Sequence, residues 1–158
     1  MRVVIDTNVY ISAFIVKGTC ARLLHKLNTN QDKYNIFISN EIYLELEDKL
    51  FNSKKILKFL GENYNLDEIK LFLELVKLST KNHNPKTKIT LCRDPKDNMI
   101  LELAGEICAD YIITGDKDLL VLKTFVDENL SGINVYPNKS LETQIVTVSQ
   151  FLEIIAGN

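Results

Sequence analysis

The chain has 158 residues, 46% of them hydrophobic and 25% charged, the size and make-up of one globular domain that can bury its own core without staples. Lys+Arg 19 against Asp+Glu 21 gives a formal net charge of −2, which excludes a binder relying on a large basic excess but not an enzyme that grips nucleic acid over a small patch. No apolar run approaches the ~20 residues of a membrane helix, and Asp6 interrupts the apolar start too early for a signal peptide, so the expected location is the cytoplasm.

Strand and helix signals alternate along the chain. Arg2–Ile5 is a short apolar strand. Residues 9–16 and 20–27 carry helix-like apolar spacing, and 34–38 reads as a second strand. Ser39 or Asn40 caps a helix running to about Phe51, with Ile42, Tyr43, Leu46 and Leu50 on its buried face. Residues 53–60 and 66–78 are amphipathic helices, the second with Asn65 as cap and Glu68 placed for a capping box. Residues 86–91 read as a weak strand whose lysines mark an edge. A helix over 98–108 puts Ile100, Leu101, Ala104, Ile107 and Cys108 on one side. Residues 111–114, 133–136 and 144–148 are short β runs, 126–141 has loop composition, and Ser149 caps a last helix to Ile155. This alternation predicts a three-layer α/β/α sandwich around a mostly parallel sheet, with chemistry at the carboxyl ends of the strands.

The three cysteines and two histidines do not point to soft-metal or triad chemistry. Cys20, Cys92 and Cys108 lack the paired spacing of a zinc site or a disulfide framework, and Cys20 and Cys108 have the apolar neighbours of small core residues. His25 and His83 stand alone, with no serine in a recognisable nucleophile elbow.

Acids gather where the strands end. V-V-I-D-T-N places Asp6 at the tip of the first strand with Asn8 two residues on. Y-I-I-T-G-D-K-D places Thr114, Asp116 and Asp118 together after a later one. C-R-D-P-K-D-N sets Asp94 and Asp97 at a helix entrance. Singly, each acid fits a turn or a helix cap. Converging at one sheet edge, they would repel one another and call for protons or a cation. Hard oxygen ligands without histidine or cysteine select Mg²⁺ or Mn²⁺, whose natural chemistry with phosphate esters is hydrolysis.

With these pieces the chain resembles the PIN-domain ribonucleases, notably the VapC-like toxins of toxin–antitoxin pairs. The matching segments are V-I-D-T-N-V, S-N-E-I-Y-L-E-L, D-P-K-D-N-M-I-L-E-L-A, A-D-Y-I-I-T-G-D-K-D-L-L and the closing I-V-T-V-S-Q-F-L, in the family's order. The resemblance implies a Mg²⁺- or Mn²⁺-dependent endoribonuclease with Asp6 as central ligand, Glu45, Asp97 and Asp116 as the other acids, and Asp118 as support or second-metal ligand. Asn8 and Thr114 would orient ligands or water. Helical periodicity does not separate Glu45 from Glu47; the family's L-E-L pattern favours Glu45. The resemblance also implies a small antitoxin partner and a homodimer.

RNA would be held by Arg93, beside the acidic loop, and by a lysine rim of Lys54, Lys55 and Lys58, with Lys81, Lys86 and Lys88 further on. Two other readings compete. A haloacid-dehalogenase-like phosphatase would also start with an aspartate after a first strand, but its general acid two residues on is here Asn8, which has no acidic proton. A non-catalytic RNA- or protein-binding module on the same scaffold would lack metal-dependent cleavage.

Overall fold

The computed structural model describes residues 1–61, 65–122 and 143–157. Five parallel strands form one sheet in the order β3-β2-β1-β4-β5: β1 Arg2–Ile5, β2 Asn35–Ile38, β3 Lys81–Asn82, β4 Tyr111–Ile113 and β5 Gln144–Val146. Helices α1 (Thr7–Ile15) and α2 (Thr19–Asn28) connect β1 to β2. Helices α3 (Asn40–Asn52), α4 (Lys54–Leu60) and α5 (Leu66–Ser79) lead to β3, and α6 (Asn98–Glu106) leads to β4. A helix α7 includes residues 117–122, and α8 (Val148–Ala156) follows β5. Among the described residues the sheet is wholly parallel where the sequence predicts a mostly parallel one, and the architecture fits the expected α/β/α arrangement. Val3, Val4 and Ile5 are at most 1% exposed, because a parallel strand covered on both faces needs an unbroken apolar run rather than an alternating one. The β runs at 133–136 and the loop composition of 126–141 lie outside the described residues.

The strand order reverses between β1 and β4, so the crevice at their carboxyl ends is where an α/β sheet of this kind offers a site. Ile5 sits opposite Ile113, and the Asp6 N–H donates to Ile113 O at 3.0 Å. That register puts the residues after both strands side by side.

Local chemistry fixes the helix starts. Ser39 Oγ accepts from the Ile42 N–H at 3.2 Å and starts α3, whose Ile42, Leu46 and Leu50 are fully buried while Tyr43 is partly so. Asn65 caps α5 through the Asp67 N–H at 2.9 Å; Glu68 is exposed and makes no capping-box bond among those described. The cap of α8 is Thr147, not Ser149. Gln150 stands three residues after Thr147 and returns the bond to its N–H at 2.9 Å, whereas Leu152, three after Ser149, has no group to do so.

Residues 86–91 are not a strand; the lysine-bearing edge is Lys81–Asn82 instead. Side chains of α6 capture the amides that a ladder would use. Glu106 Oε1 accepts from the N–H groups of Lys86 and Thr87, Glu102 Oε1 from Ile89 at 2.9 Å, and Asn98 Oδ1 from Leu91 at 3.1 Å and Cys92 at 2.9 Å. The three acceptors are four residues apart, on one helix face. They lash the segment along α6 and deliver its end, Cys92–Arg93–Asp94, to the sheet edge.

Helix α6 ends at Glu106, short of Cys108. Cys108 takes φ +49°, its N–H donates to Gly105 O at 3.1 Å, and the Ala109 N–H donates to Ala104 O at 2.8 Å, a left-handed cap closing the helix. Cys108 is half-buried there and not part of the core, whereas Cys20, also half-buried, packs against the core.

Desolvation pushes the Glu106 carboxyl up, but His83 Nε2 at 2.9 Å and the amides of Thr87 and Lys86 outweigh it and hold it at about 2, below its ordinary 4.5. A depressed carboxyl stabilises the fold above its unfolded value and loses that contribution as pH falls from about 4.5 toward 2. Glu106→Gln is expected to lower stability at pH 7 by on the order of 2 kcal/mol and to flatten the acid limb of the stability curve. Urea melts at pH 7 and pH 3 check this; coincident wild-type and variant curves at both would contradict it.

Candidate metal centre

Asp6 follows β1 directly and is only 3% exposed. Burial raises its pKa, opposed by the Thr114 hydroxyl, the Asn8 N–H, the charge of Lys49 and the Thr7 hydroxyl. Its Oδ2 accepts from Thr114 Oγ1 at 2.6 Å. Its Oδ1 accepts from the Asn8 N–H at 3.1 Å and from Thr7 Oγ1 at 3.3 Å. The carboxylate is thus both cap of α1 and a fixed group on the crevice floor.

Thr114, fully buried after β4, works in two directions. It donates to Asp6 and accepts the Asp116 N–H at 2.9 Å. Asp116 Oδ1 in turn accepts the Asp118 N–H at 2.7 Å. The T-G-D-K-D turn is therefore tied to Asp6 by a continuous chain of hydrogen bonds.

Asp97 arrives from the other side, at the end of the 3₁₀ turn Pro95–Asp97. One carboxylate oxygen from each of Asp97, Asp116 and Asp118 lies within 4.8 Å of the others. Burial raises the Asp97 pKa to about 6, reinforced by the charges of Asp116, Asp6, Asp94 and Asp118. Asp94 itself is exposed and caps the turn by accepting the Lys96 N–H at 3.0 Å.

Glu45, on α3, accepts from Thr7 Oγ1 at 2.9 Å and pairs with Lys49 Nζ at 3.0 Å. Thr7 Oγ1 thereby bridges Glu45 to Asp6. Arg93 pairs with Asp118 at 2.8 Å, although its side chain is 85% exposed. Lys54, Lys55 and Lys58 are exposed along α4, which packs on α3. Lys88 pairs with Glu102 at 3.0 Å and Glu41 at 3.8 Å, so its ammonium serves the fold. His83 pairs with Glu106, away from the acids just described. A cavity of about 730 Å³ opens beside the centre, with Asn8, Arg93, Thr114, Asp116, Asp118 and Ser149 among its lining.

Sequence reasoning missed three residues here. Lys49 was legible as the E-x-x-x-K partner of Glu45 on a helix. Thr7 lies inside D-T-N, but nothing local announces that it bridges two acids. Cys92 stands beside the cluster, and burial, with the charges of Asp97, Asp118, Asp116 and Asp94, pushes its thiol up to about 12.

A thiol held protonated supplies no thiolate to a metal. The donors on offer are hard carboxylate oxygens, and the charges of Asp116, Asp6, Asp94 and Asp118 add to the burial that raises the Asp97 pKa. That donor set fits a hard divalent cation.

A family model described as a PIN domain matches residues 2–118. An uncharacterized protein of Methanocaldococcus jannaschii is 33% identical over 154 residues, covering 97% of this chain and 90% of the relative. No solved structure matches. PIN domains are generally nucleases and usually use divalent metals, and no helix among the described residues is long and apolar enough to cross a membrane. With the match running from β1 through the T-G-D-K-D turn, the chain belongs to the PIN-domain family.

Proposed function

We propose that this chain is an endoribonuclease dependent on Mg²⁺ or Mn²⁺, and that it acts as the toxin of a toxin–antitoxin pair. The observation that carries the nuclease reading is the convergence of Asp97, Asp116 and Asp118 oxygens within 4.8 Å beside the buried Asp6. Asp6, Asp97 and Asp116 are the acids that hold the ion, Asp118 adds a further oxygen, and Glu45 is the fourth acid of the family pattern. A divalent ion held by these acids would supply an acidified water and would steady charge on the leaving oxygen. Thr114 keeps Asp6 and Asp116 at fixed separation, and the Asn8 N–H pins the second Asp6 oxygen. Asn8 lines the cavity, where its side chain would orient substrate or water.

Arg93 lines that cavity and, among the described residues, its side chain pairs with Asp118, so it could turn to a substrate phosphate if a cation engaged Asp118. Lys54, Lys55 and Lys58 form an outer rim that follows the RNA backbone. The toxin role rests on the resemblance to VapC-like proteins. It brings with it a small antitoxin chain laid over the acidic cleft and a second copy of this chain as dimer partner.

Water attack breaks the P–O3′ bond and leaves 5′-phosphate and 3′-hydroxyl ends. A single-stranded RNA oligomer incubated with Mn²⁺ is expected to show those ends. Products with 2′,3′-cyclic phosphate would mean that the RNA's own 2′-hydroxyl attacked, and would contradict the reading. Arg93→Ala is expected to weaken RNA affinity roughly tenfold, with little change in the melting temperature of the metal-free protein because an exposed ion pair contributes little. Fluorescence anisotropy and a thermal melt measure the two effects.

A further inference from the structure

The acidic centre has two poles, and their counter-charges differ in kind. At the Asp97–Asp116–Asp118 pole the cation paired with an acid is Arg93, whose side chain is 85% exposed, and Lys117 lines the same cavity. At the Glu45 pole the cation is Lys49, with only 34% of its side chain exposed. Its Nζ lies 3.0 Å from Glu45 Oε1 and 3.4 Å from Thr7 Oγ1. Thr7 Oγ1 occupies the other Glu45 oxygen at 2.9 Å and reaches Asp6 Oδ1 at 3.3 Å. Glu45 and Lys49 are one turn apart on α3, whose Leu46 and Leu50 are fully buried, so the pair is fixed to the core. Both Glu45 oxygens are engaged, one of them by an ammonium, whereas the described hydrogen bonds to Asp6 come from neutral donors. The Lys49 charge also acts on Asp6, so one ammonium serves two acids.

Resting on the metal-nuclease reading, we infer that Lys49 is a built-in cation for Glu45: the chain takes up one divalent ion, between the Asp97–Asp116–Asp118 group and Asp6, and Glu45 positions Thr7 and Asp6 instead of ligating metal. Lys49 is a positioning residue in this scheme. Without it, Glu45 and Asp6 become an uncompensated pair of hard-oxygen donors able to take a second ion.

Calorimetric titration of the intact protein with MnCl₂ tests this. Wild type is expected to bind one Mn²⁺, Lys49→Met two, and Lys49→Arg one again, because the conservative change restores the charge. Glu45→Gln supplies a test that does not depend on how Lys49→Met folds: the glutamine oxygen still accepts from Thr7 Oγ1, so the variant should bind one ion with affinity within about threefold of wild type, whereas removing the charge of a true ligand costs about tenfold or more. Two ions in wild type, one in both wild type and Lys49→Met, or a tenfold loss in Glu45→Gln would overturn the inference while leaving the metal reading standing. No uptake by wild type would overturn both.

Discussion

Asp6→Asn is expected to lower RNA cleavage by on the order of 10²–10³-fold, the loss typical of removing one fixed charge-stabilising group from a reaction centre. The fold should survive. Asparagine keeps an oxygen for the Asn8 N–H, and its amide can donate to Thr114 Oγ1, which has lone pairs for it and for the Asp116 N–H. What disappears is the charge. Asp6 is also one of the groups that raise the Asp97 pKa, so its neutralisation relieves repulsion in the metal-free protein. Thr114 loses the acceptor of its buried hydroxyl proton, which offsets that relief, so the variant should melt near the wild-type temperature while its initial rate collapses. Near-wild-type cleavage by a folded Asp6→Asn protein would contradict the assignment.

Asp97→Asn should separate stability from function more sharply still. In the fold the Asp97 carboxyl titrates at about 6, because of burial first and its acidic neighbours second, against an ordinary 3.8. The folded state therefore holds the proton more tightly than the unfolded chain. The stability that this gives is complete below about pH 4 and is lost as pH rises through 6. Above pH 6 the metal-free wild type carries the full repulsion, and the asparagine does not. After discounting for solvent screening at a partly exposed group, the gain is on the order of 1 kcal/mol, or roughly 2–4 °C in melting temperature for a chain this size. The same substitution should weaken Mn²⁺ binding more than tenfold by removing a ligand charge. In wild type, protons compete with the ion for Asp97, so Mn²⁺ affinity should climb with pH through about 6 and then level off. Melts from pH 4 to 8 without metal, beside titrations at the same pH values, measure both effects. A variant less stable than wild type at pH 7.5, or wild-type affinity flat from pH 5 to 7, would contradict the account.

The strand tips were legible because a parallel strand writes itself as an apolar run, and the residue after it must leave the sheet. Asp6 after V-V-I and Thr114 after Y-I-I follow from that alone. Ser39 and the Ile42–Leu46–Leu50 stripe were legible for the same kind of local reason. What was not legible depends on partners distant in sequence. Residues 86–91 alternate like a strand because Ile89 is buried and Lys86 and Lys88 are exposed, yet alternation reports which side chains face inward and not what takes the amides. Here Glu102, Glu106 and Asn98 take them. Helical periodicity does not mark the start of α8; Gln150, three residues after Thr147, makes Thr147 the cap. The Arg93–Asp118 pair and the Thr7 bridge to Glu45 join residues 25 and 38 positions apart, and no periodicity records such contacts.

The account stands most directly on whether cutting requires a divalent ion. A 5′-labelled single-stranded RNA incubated with wild-type protein in Mg²⁺, in Mn²⁺, in EDTA, and in EDTA followed by excess Mn²⁺ measures that in one experiment. The prediction is cleavage with either metal, none in EDTA, and recovery when Mn²⁺ is returned. Undiminished cleavage in EDTA would contradict it, as would folded protein that takes up Mn²⁺, binds the RNA and leaves it whole.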